Sequence, residues 1–137
     1  MAKILIDTSV FLEWMKGEKY TAQIKTLFQN HEKCIIEWVM LELSKLIEKT
    51  LGSEVAVQYL ENLQKTFTVL ENNKQDFPDA LVVMSKYNID KKRLYMCDAL
   101  QLVIADRLGI DLYTLNEAMT FYKPNNPKCR IINLSAQ

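Results

Sequence analysis

The amino-acid sequence predicts an α/β protein: a three-layer α/β/α sandwich around a central parallel sheet of four to five strands. Short apolar runs alternate with longer amphipathic segments, which is typical of parallel strands joined by helices. The first run, at residues 3–7, also lacks the alternation of polar and apolar residues that is typical of a sheet with one solvent-exposed face. A chain of 137 residues that is 49% hydrophobic fits one core. We therefore expect a single domain over residues 1–137.

The predicted strands are short and are followed by polar or turn-forming residues. The first carries consecutive apolar side chains, as in a strand covered by helices on both faces. A final strand is expected after a proline-containing loop. The predicted strands span residues 3–7, 34–36, 67–69, 112–114 and 130–132.

The predicted helices follow from apolar spacing and from capping residues. Thr8 and Ser9 offer N-cap chemistry for a short first helix, which Gly17 ends. Pro78 lies in the first turn of a later helix that runs to about Tyr87. The other predicted helices span residues 19–30, 37–50, 53–65 and 98–108.

Charge and cysteine content limit the possible classes of function. Seventeen basic and seventeen acidic residues give no net charge, so nucleic-acid binding would need a local patch such as Lys91, Lys92 and Arg93. No apolar run is long enough to span a membrane, and the N-terminus lacks a signal-peptide pattern. The three cysteines are far apart and odd in number, which favours a reducing cytoplasm.

Four polar residues stand at the ends of apolar runs or within them. Asp7 and Asn116 follow the first and fourth predicted strands, Asp98 opens the most apolar helix, and Glu42 interrupts an apolar helical stripe. In open parallel sheets, sites form beyond the carboxyl ends of the strands. All four residues are therefore expected to face one crevice. Oxygen ligands of this kind suit Mg²⁺ or Mn²⁺.

Each of these residues also has a structural interpretation that the sequence leaves open. Asp7 could cap the next helix, although Thr8 or Ser9 would serve equally well. Glu42 could reach solvent or pair with a basic residue. Asp98 could favour the helix N-terminus through the macrodipole. Asn116 is typical of a turn after a strand.

Four short motifs, taken in order and spacing, resemble those of the PIN-domain family, and most closely its VapC-type toxin ribonucleases. They are ILIDTSVF at 4–11, VMLEL at 39–43, CDALQL at 97–102 and LYTLN at 112–116. The resemblance implies a metal-dependent endoribonuclease that hydrolyses RNA phosphodiesters. It makes Asp7, Glu42, Asp98 and Asn116 the catalytic residues and ligands of Mg²⁺ or Mn²⁺. Ser9 and Thr114 would be hydroxyl supports.

The resemblance also implies partners and exposes one departure. It implies an RNA substrate contacted by Lys91, Lys92 and Arg93, a homodimer, and an antitoxin protein that silences the groove. Family members usually carry Asp where this chain has Asn116, so the pocket has one negative charge fewer. Glu117 is adjacent and is a candidate to compensate.

Other classes of function remain open at this stage. The first is a catalytically weak or inactive PIN-like module that binds RNA or protein. The second is a phosphatase of haloacid dehalogenase type, which would need an acid where Ser9 stands. A response-regulator receiver fits less well, because no phospho-acceptor Asp follows the third predicted strand.

Overall fold

The computed structural model describes residues 1–88 and 93–136, in which strands and helices alternate along the chain. Within these ranges, no helix has the length and apolar character needed to cross a membrane. The elements are β1 Lys3–Ile6, α1 Thr8–Lys16, α2 Thr21–Asn30, β2 Glu32–Ile36, α3 Glu37–Leu51, α4 Ser53–Thr66, β3 Thr68–Leu70, α5 Asp76–Tyr87, α6 Met96–Leu108, β4 Asp111–Thr114 and β5 Ile131–Asn133, with 3₁₀ helices over Glu117–Phe121 and Leu134–Ala136.

The five strands form one parallel sheet in the order β3-β2-β1-β4-β5. In the centre, Leu5 of β1 pairs with Cys34 of β2 on one side and with Leu112 of β4 on the other. The chain moves outward from β1 to β3 and then crosses back to β4. Because such crossovers are right-handed, α1 to α4 cover one face, and α5 and α6 cover the other. The predicted three-layer sandwich is confirmed, with five strands.

The core is centred on β1 and α6. Ile4, Leu5 and Ile6 are at most 1% exposed, because β1 has a strand on each side and helices on both faces. Every residue of α6 from Ala99 to Asp106 is also buried. These two elements carry the most continuous apolar sequences, and they place their polar residues at a fixed end of the sheet.

The structure differs from the sequence prediction mainly at the ends of elements. Strand β2 begins at Glu32, two residues before its predicted start. Helix α6 begins at Met96 rather than at Asp98, because the Asp98 carboxylate accepts the Tyr95 backbone N–H at 2.9 Å and closes an earlier first turn. The 3₁₀ helix over Glu117–Phe121 was not predicted.

Candidate active site

The strand order reverses between β1 and β4, which leaves a crevice at their carboxyl ends. Asp7 is the first residue after β1, and its backbone N–H donates to the Tyr113 carbonyl of β4 at 3.1 Å. Asn116 lies two residues beyond β4. The predicted placement of Asp7 and Asn116 at one edge of the sheet therefore agrees with the structure.

Asp7 is held in a fixed orientation by three side-chain donors. It is 2% exposed, and its Oδ2 accepts the hydroxyls of Ser9 at 2.6 Å and Thr114 at 2.8 Å. Its Oδ1 accepts the Gln101 amide at 2.8 Å. The Leu115 backbone N–H donates to Ser9 Oγ at 2.9 Å and fixes that hydroxyl in turn. These hydrogen bonds offset the cost of burying a carboxylate.

Glu42 is the exposed acid of the crevice. Its Oε1 accepts a hydrogen bond of 3.2 Å from the hydroxyl of Thr8, the residue after Asp7. Burial, and after it the Glu42 carboxylate, raises the pKa of the Cys97 thiol, which lies next to Asp98 in the sequence. The buried stripe of α3 is formed by Val39, Leu43 and Ile47. Glu42 therefore lies beside this stripe rather than within it, which corrects the sequence-based expectation.

The pKa of Asp98 is affected by the other two acids. Its pKa is raised to about 6, first by burial and then by the negative charges of Asp7 and Glu42, while the Tyr95 N–H acts in the opposite direction. Burial disfavours the charged carboxylate, and a neighbouring like charge disfavours it further. Asp7, Glu42 and Asp98, from three separate elements, therefore share one electrostatic environment.

The acids share the crevice without forming a tight ligand cluster. Across residues 1–88 and 93–136, no three His, Cys, Asp or Glu side chains are grouped closely enough to hold a metal ion. The Asn116 Oδ1 accepts the Ala118 backbone N–H at 3.1 Å, and so caps the following 3₁₀ helix. The donor set of carboxylate oxygens is nevertheless the kind that hard divalent cations prefer, and in this respect it fits Mg²⁺ or Mn²⁺.

Two residues at the crevice were not singled out from the sequence. Gln101 is fully buried one turn after Asp98, and Cys97 is a buried thiol whose Sγ lies 3.9 Å from Gln101 Nε2. A signal for Gln101 exists, because an amide within the apolar run from Ala99 to Ala105 needs a partner. Sequence gives no comparable signal for Cys97, since a small thiol in a core is ordinary.

The predicted basic contacts are described only in part. Lys91 and Lys92 lie outside the described residues. Arg93 is exposed and lies three residues before α6, on the N-terminal side of the helix that carries Asp98.

The parallel sheet, the crossover and the acids at the strand ends define an α/β protein with an acidic crevice at its topological switch point. The PIN domain family model matches residues 4–124, so the chain belongs to the PIN-domain family. A search of curated proteins found no match.

Solved structures with similar folds include toxin–antitoxin proteins. The chain is 18% identical to a protein in a DNA-bound VapBC structure from Salmonella typhimurium, with a TM-score of 0.71 over 98% of this chain and 99% of the other. The chain is 15% identical to FitAcB from Neisseria gonorrhoeae, with a TM-score of 0.71 over 98% of this chain and 99% of the other. It is 18% identical to VapC20 from Mycobacterium tuberculosis, a sarcin–ricin loop cleaving toxin, with a TM-score of 0.64 over 80% of this chain and 86% of the other. At these identities the likeness establishes the fold.

Proposed function

We propose that this protein is a metal-dependent endoribonuclease that hydrolyses RNA phosphodiesters, and that it is the toxin of a toxin–antitoxin pair. One observation carries the proposal: Asp7, Glu42 and Asp98 converge electrostatically at the switch point of a PIN fold. Neighbouring carboxylates disfavour each other's charged forms, which is one reason that the pKa of Asp98 is raised. A divalent cation would remove that repulsion.

The proposed ligands are Asp7, Glu42 and Asp98, with Asn116 completing the set. When bound, Mg²⁺ or Mn²⁺ would supply an activated water and stabilise charge that develops on the phosphodiester. Ser9 and Thr114 hold the Asp7 carboxylate in one orientation. Glu42 is exposed, so it is the acid that substrate and solvent reach first.

The substrate would be held by its phosphates rather than by the overall charge of the protein. The chain carries no net charge, and phosphate contacts require local cations. We assign this role to Lys91, Lys92 and Arg93. Of these, Arg93 is an exposed cation beside the helix that carries Asp98.

The test is metal-dependent cleavage of a mixed RNA pool by purified protein. We expect cleavage with Mg²⁺ or Mn²⁺ that EDTA stops, and that Asp7→Asn, Asp98→Asn and Glu42→Gln each abolish or strongly reduce. Glu48→Gln is the matched control, because Glu48 is an exposed acid on the same helix as Glu42. Equal cleavage by the wild type and the Asp7 and Asp98 variants would refute the proposal.

An antitoxin partner is proposed for an apolar groove on the face covered by α1, α2 and α4. The groove has a volume of about 750 Å³ and includes Phe11, Trp14, Phe28 and Phe67. These rings pack on one another, and Lys33 lies over two of them. Several structural relatives were solved as toxin–antitoxin complexes. We expect the purified partner to bind the wild type and to lose affinity for Trp14→Asp.

We further propose a homodimer in the cytoplasm. The exposed apolar residues Trp38, Leu41 and Leu81 offer surface for a second copy. The three cysteines are buried free thiols, which suits a reducing compartment. Light scattering on the purified protein tests the dimer, since a monomer mass at micromolar concentration would contradict it.

The alternative function is a catalytically weak PIN-like module that binds RNA or protein. It is favoured by Asn116, whose neutral amide oxygen is already engaged in capping a helix. A single-turnover assay with enzyme in excess and Mn²⁺ separates the two functions. RNA binding without cleavage would support the alternative.

A further inference from the structure

Gln101 is the one amide side chain in direct contact with Asp7 among the described residues. It lies on α6, one turn after Cys97 and Asp98, and is 0% exposed. Its Nε2 donates to Asp7 Oδ1 at 2.8 Å and to the Cys97 carbonyl at 3.3 Å. Both amide hydrogens are therefore used, and the side chain links the first turn of α6 to the end of β1.

The orientation of this amide is determined by its partners. An ionised carboxylate only accepts hydrogen bonds. Rotating the Gln101 amide by half a turn would place its Oε1 about as close to Asp7 Oδ1 as Nε2 now lies, at 2.8 Å. Two acceptors at that distance repel each other. The same rotation would also remove the side-chain hydrogen bond that Nε2 gives to the Cys97 carbonyl.

The Gln101 amide has hydrogen-bond partners at its nitrogen only. Its Oε1 is buried and has no hydrogen-bond partner among the described residues. An unpartnered buried carbonyl is unfavourable, and a leucine of similar size would avoid that cost in a helix whose other side chains are mostly apolar. The benefit of the amide must therefore come from the hydrogen bond that its Nε2 gives to Asp7.

The same side chain also connects the acids to each other. Gln101 contacts Asp7 directly, and it contacts the backbone of Cys97 in the first turn of α6. Asp98 is the next residue along the chain. Because a carboxylate has about four acceptor positions, the three donors on Asp7 leave one position open. The donors therefore decide which direction that position faces.

We propose that Gln101 is a positioning residue, which holds Asp7 Oδ1 so that the remaining acceptor position of Asp7 is presented to a divalent cation. This inference rests on the proposed function, because it concerns the same site. Outer partners that orient a metal ligand typically contribute about ten- to a hundredfold to metal affinity. Gln101 does not itself contact substrate in this role.

The test compares metal affinity with stability in the full-length protein. Mn²⁺ affinity is measured by the electron paramagnetic resonance signal of free Mn²⁺, and thermal stability is measured in EDTA. We expect Gln101→Leu to bind Mn²⁺ about ten- to a hundredfold more weakly, a much larger loss of affinity than in a control variant of the same helix. Its stability in EDTA reflects two opposed changes, because Asp7 loses a donor and the unpartnered Oε1 is removed. Gln101→Met is a second variant that fills the same space. Ile104→Val is the control, since it alters a buried residue of the same helix, three residues after Gln101, and no hydrogen bond is involved.

The outcomes separate this inference from the proposed function. If the wild type binds Mn²⁺ and Gln101→Leu binds it with the same affinity, the positioning role alone is overturned. The positioning role would also be overturned if the Leu and Met variants lost stability and their Mn²⁺ affinity fell no further than that of Ile104→Val. Absence of Mn²⁺ binding and of RNA cleavage in the wild type would overturn the proposed function, and this inference with it.

Discussion

Replacing Asp98 by Asn should make the metal-free protein more stable at neutral pH. The fold raises the pKa of Asp98 to about 6 from its usual 3.8, through burial and the charges of Asp7 and Glu42. The ionised group is therefore less favourable in the folded state than in the unfolded state. An asparagine keeps an oxygen that can accept the Tyr95 N–H, but it carries no charge to repel.

The expected gain follows from the shift in pKa. A shift of one pKa unit corresponds to about 1.4 kcal/mol, so a rise in the pKa of Asp98 from 3.8 to about 6 corresponds to roughly 3 kcal/mol. Asp98 is part-exposed, so solvent screening reduces this figure, and we expect about 1–2 kcal/mol. Between pH 4 and 6 the folded state binds more protons than the unfolded state. The penalty is therefore nearly complete above about pH 6, decreases as the pH falls, and disappears below the ordinary pKa of 3.8.

The assay is urea unfolding of the wild type and Asp98→Asn in EDTA at pH 7.5 and at pH 4.5. The variant should be more stable by about 1–2 kcal/mol at pH 7.5, and the difference should fall to roughly a third to a half of that at pH 4.5. Saturating Mn²⁺ should reverse the order at pH 7.5, because a ligand at a hundred times its Kd stabilises by about 2.7 kcal/mol. An equal or lower stability of Asp98→Asn at pH 7.5 in EDTA would refute the reasoning.

Other predictions concern two polar pairs at the C-terminal end of α6 and the Cys97 thiol in its first turn. Arg107→Leu should cost about 2–4 kcal/mol in urea unfolding, because Asp76 is 1% exposed and loses the two hydrogen bonds it accepts from Arg107; a loss below 1 kcal/mol would contradict this. Tyr122→Phe should cost about 1.5–3 kcal/mol by removing the hydroxyl that donates to buried Asp106, again measured by urea unfolding. Burial and nearby acids raise the pKa of the Cys97 thiol, so iodoacetamide should label it far more slowly in native protein than in urea at pH 8, as read by mass spectrometry; equal rates would count against it.

The architecture was predictable because its signal is carried by whole elements. The consecutive apolar residues Ile4 to Ile6 indicate a strand covered on both faces, and the structure buries all three. The boundaries were less predictable, because hydrogen bonds decide them. Asp98 closes the first turn of α6 two residues early, and Asn116 caps a 3₁₀ helix where the sequence indicated only a turn.

The site was predictable to the extent that topology determines it. Asp7 and Asn116 meet at one edge because parallel strands end there together. Glu42 was harder to place, because Leu46 and Ile47 are both apolar and helical periodicity alone cannot tell which of them is buried. The structure leaves Leu46 41% exposed and Ile47 3% exposed, and this rotation of α3 brings Glu42 outward. No local pattern could pair Gln101 with Asp7, 94 residues away.

The surroundings of the buried acids distinguish structural roles from the proposed functional one. Asp76 is paired with Arg107, and Asp106 accepts one hydroxyl and two backbone N–H groups, so each is stabilised by the fold. Asp98 instead lies beside two other acids, and Gln101 leaves an oxygen unpartnered next to them. Sequences usually agree with their fold at every level, and local departures concentrate at functional sites. These two unfavourable groups lie at the same crevice, which is the reason to assign function there rather than to Asp76 or Asp106.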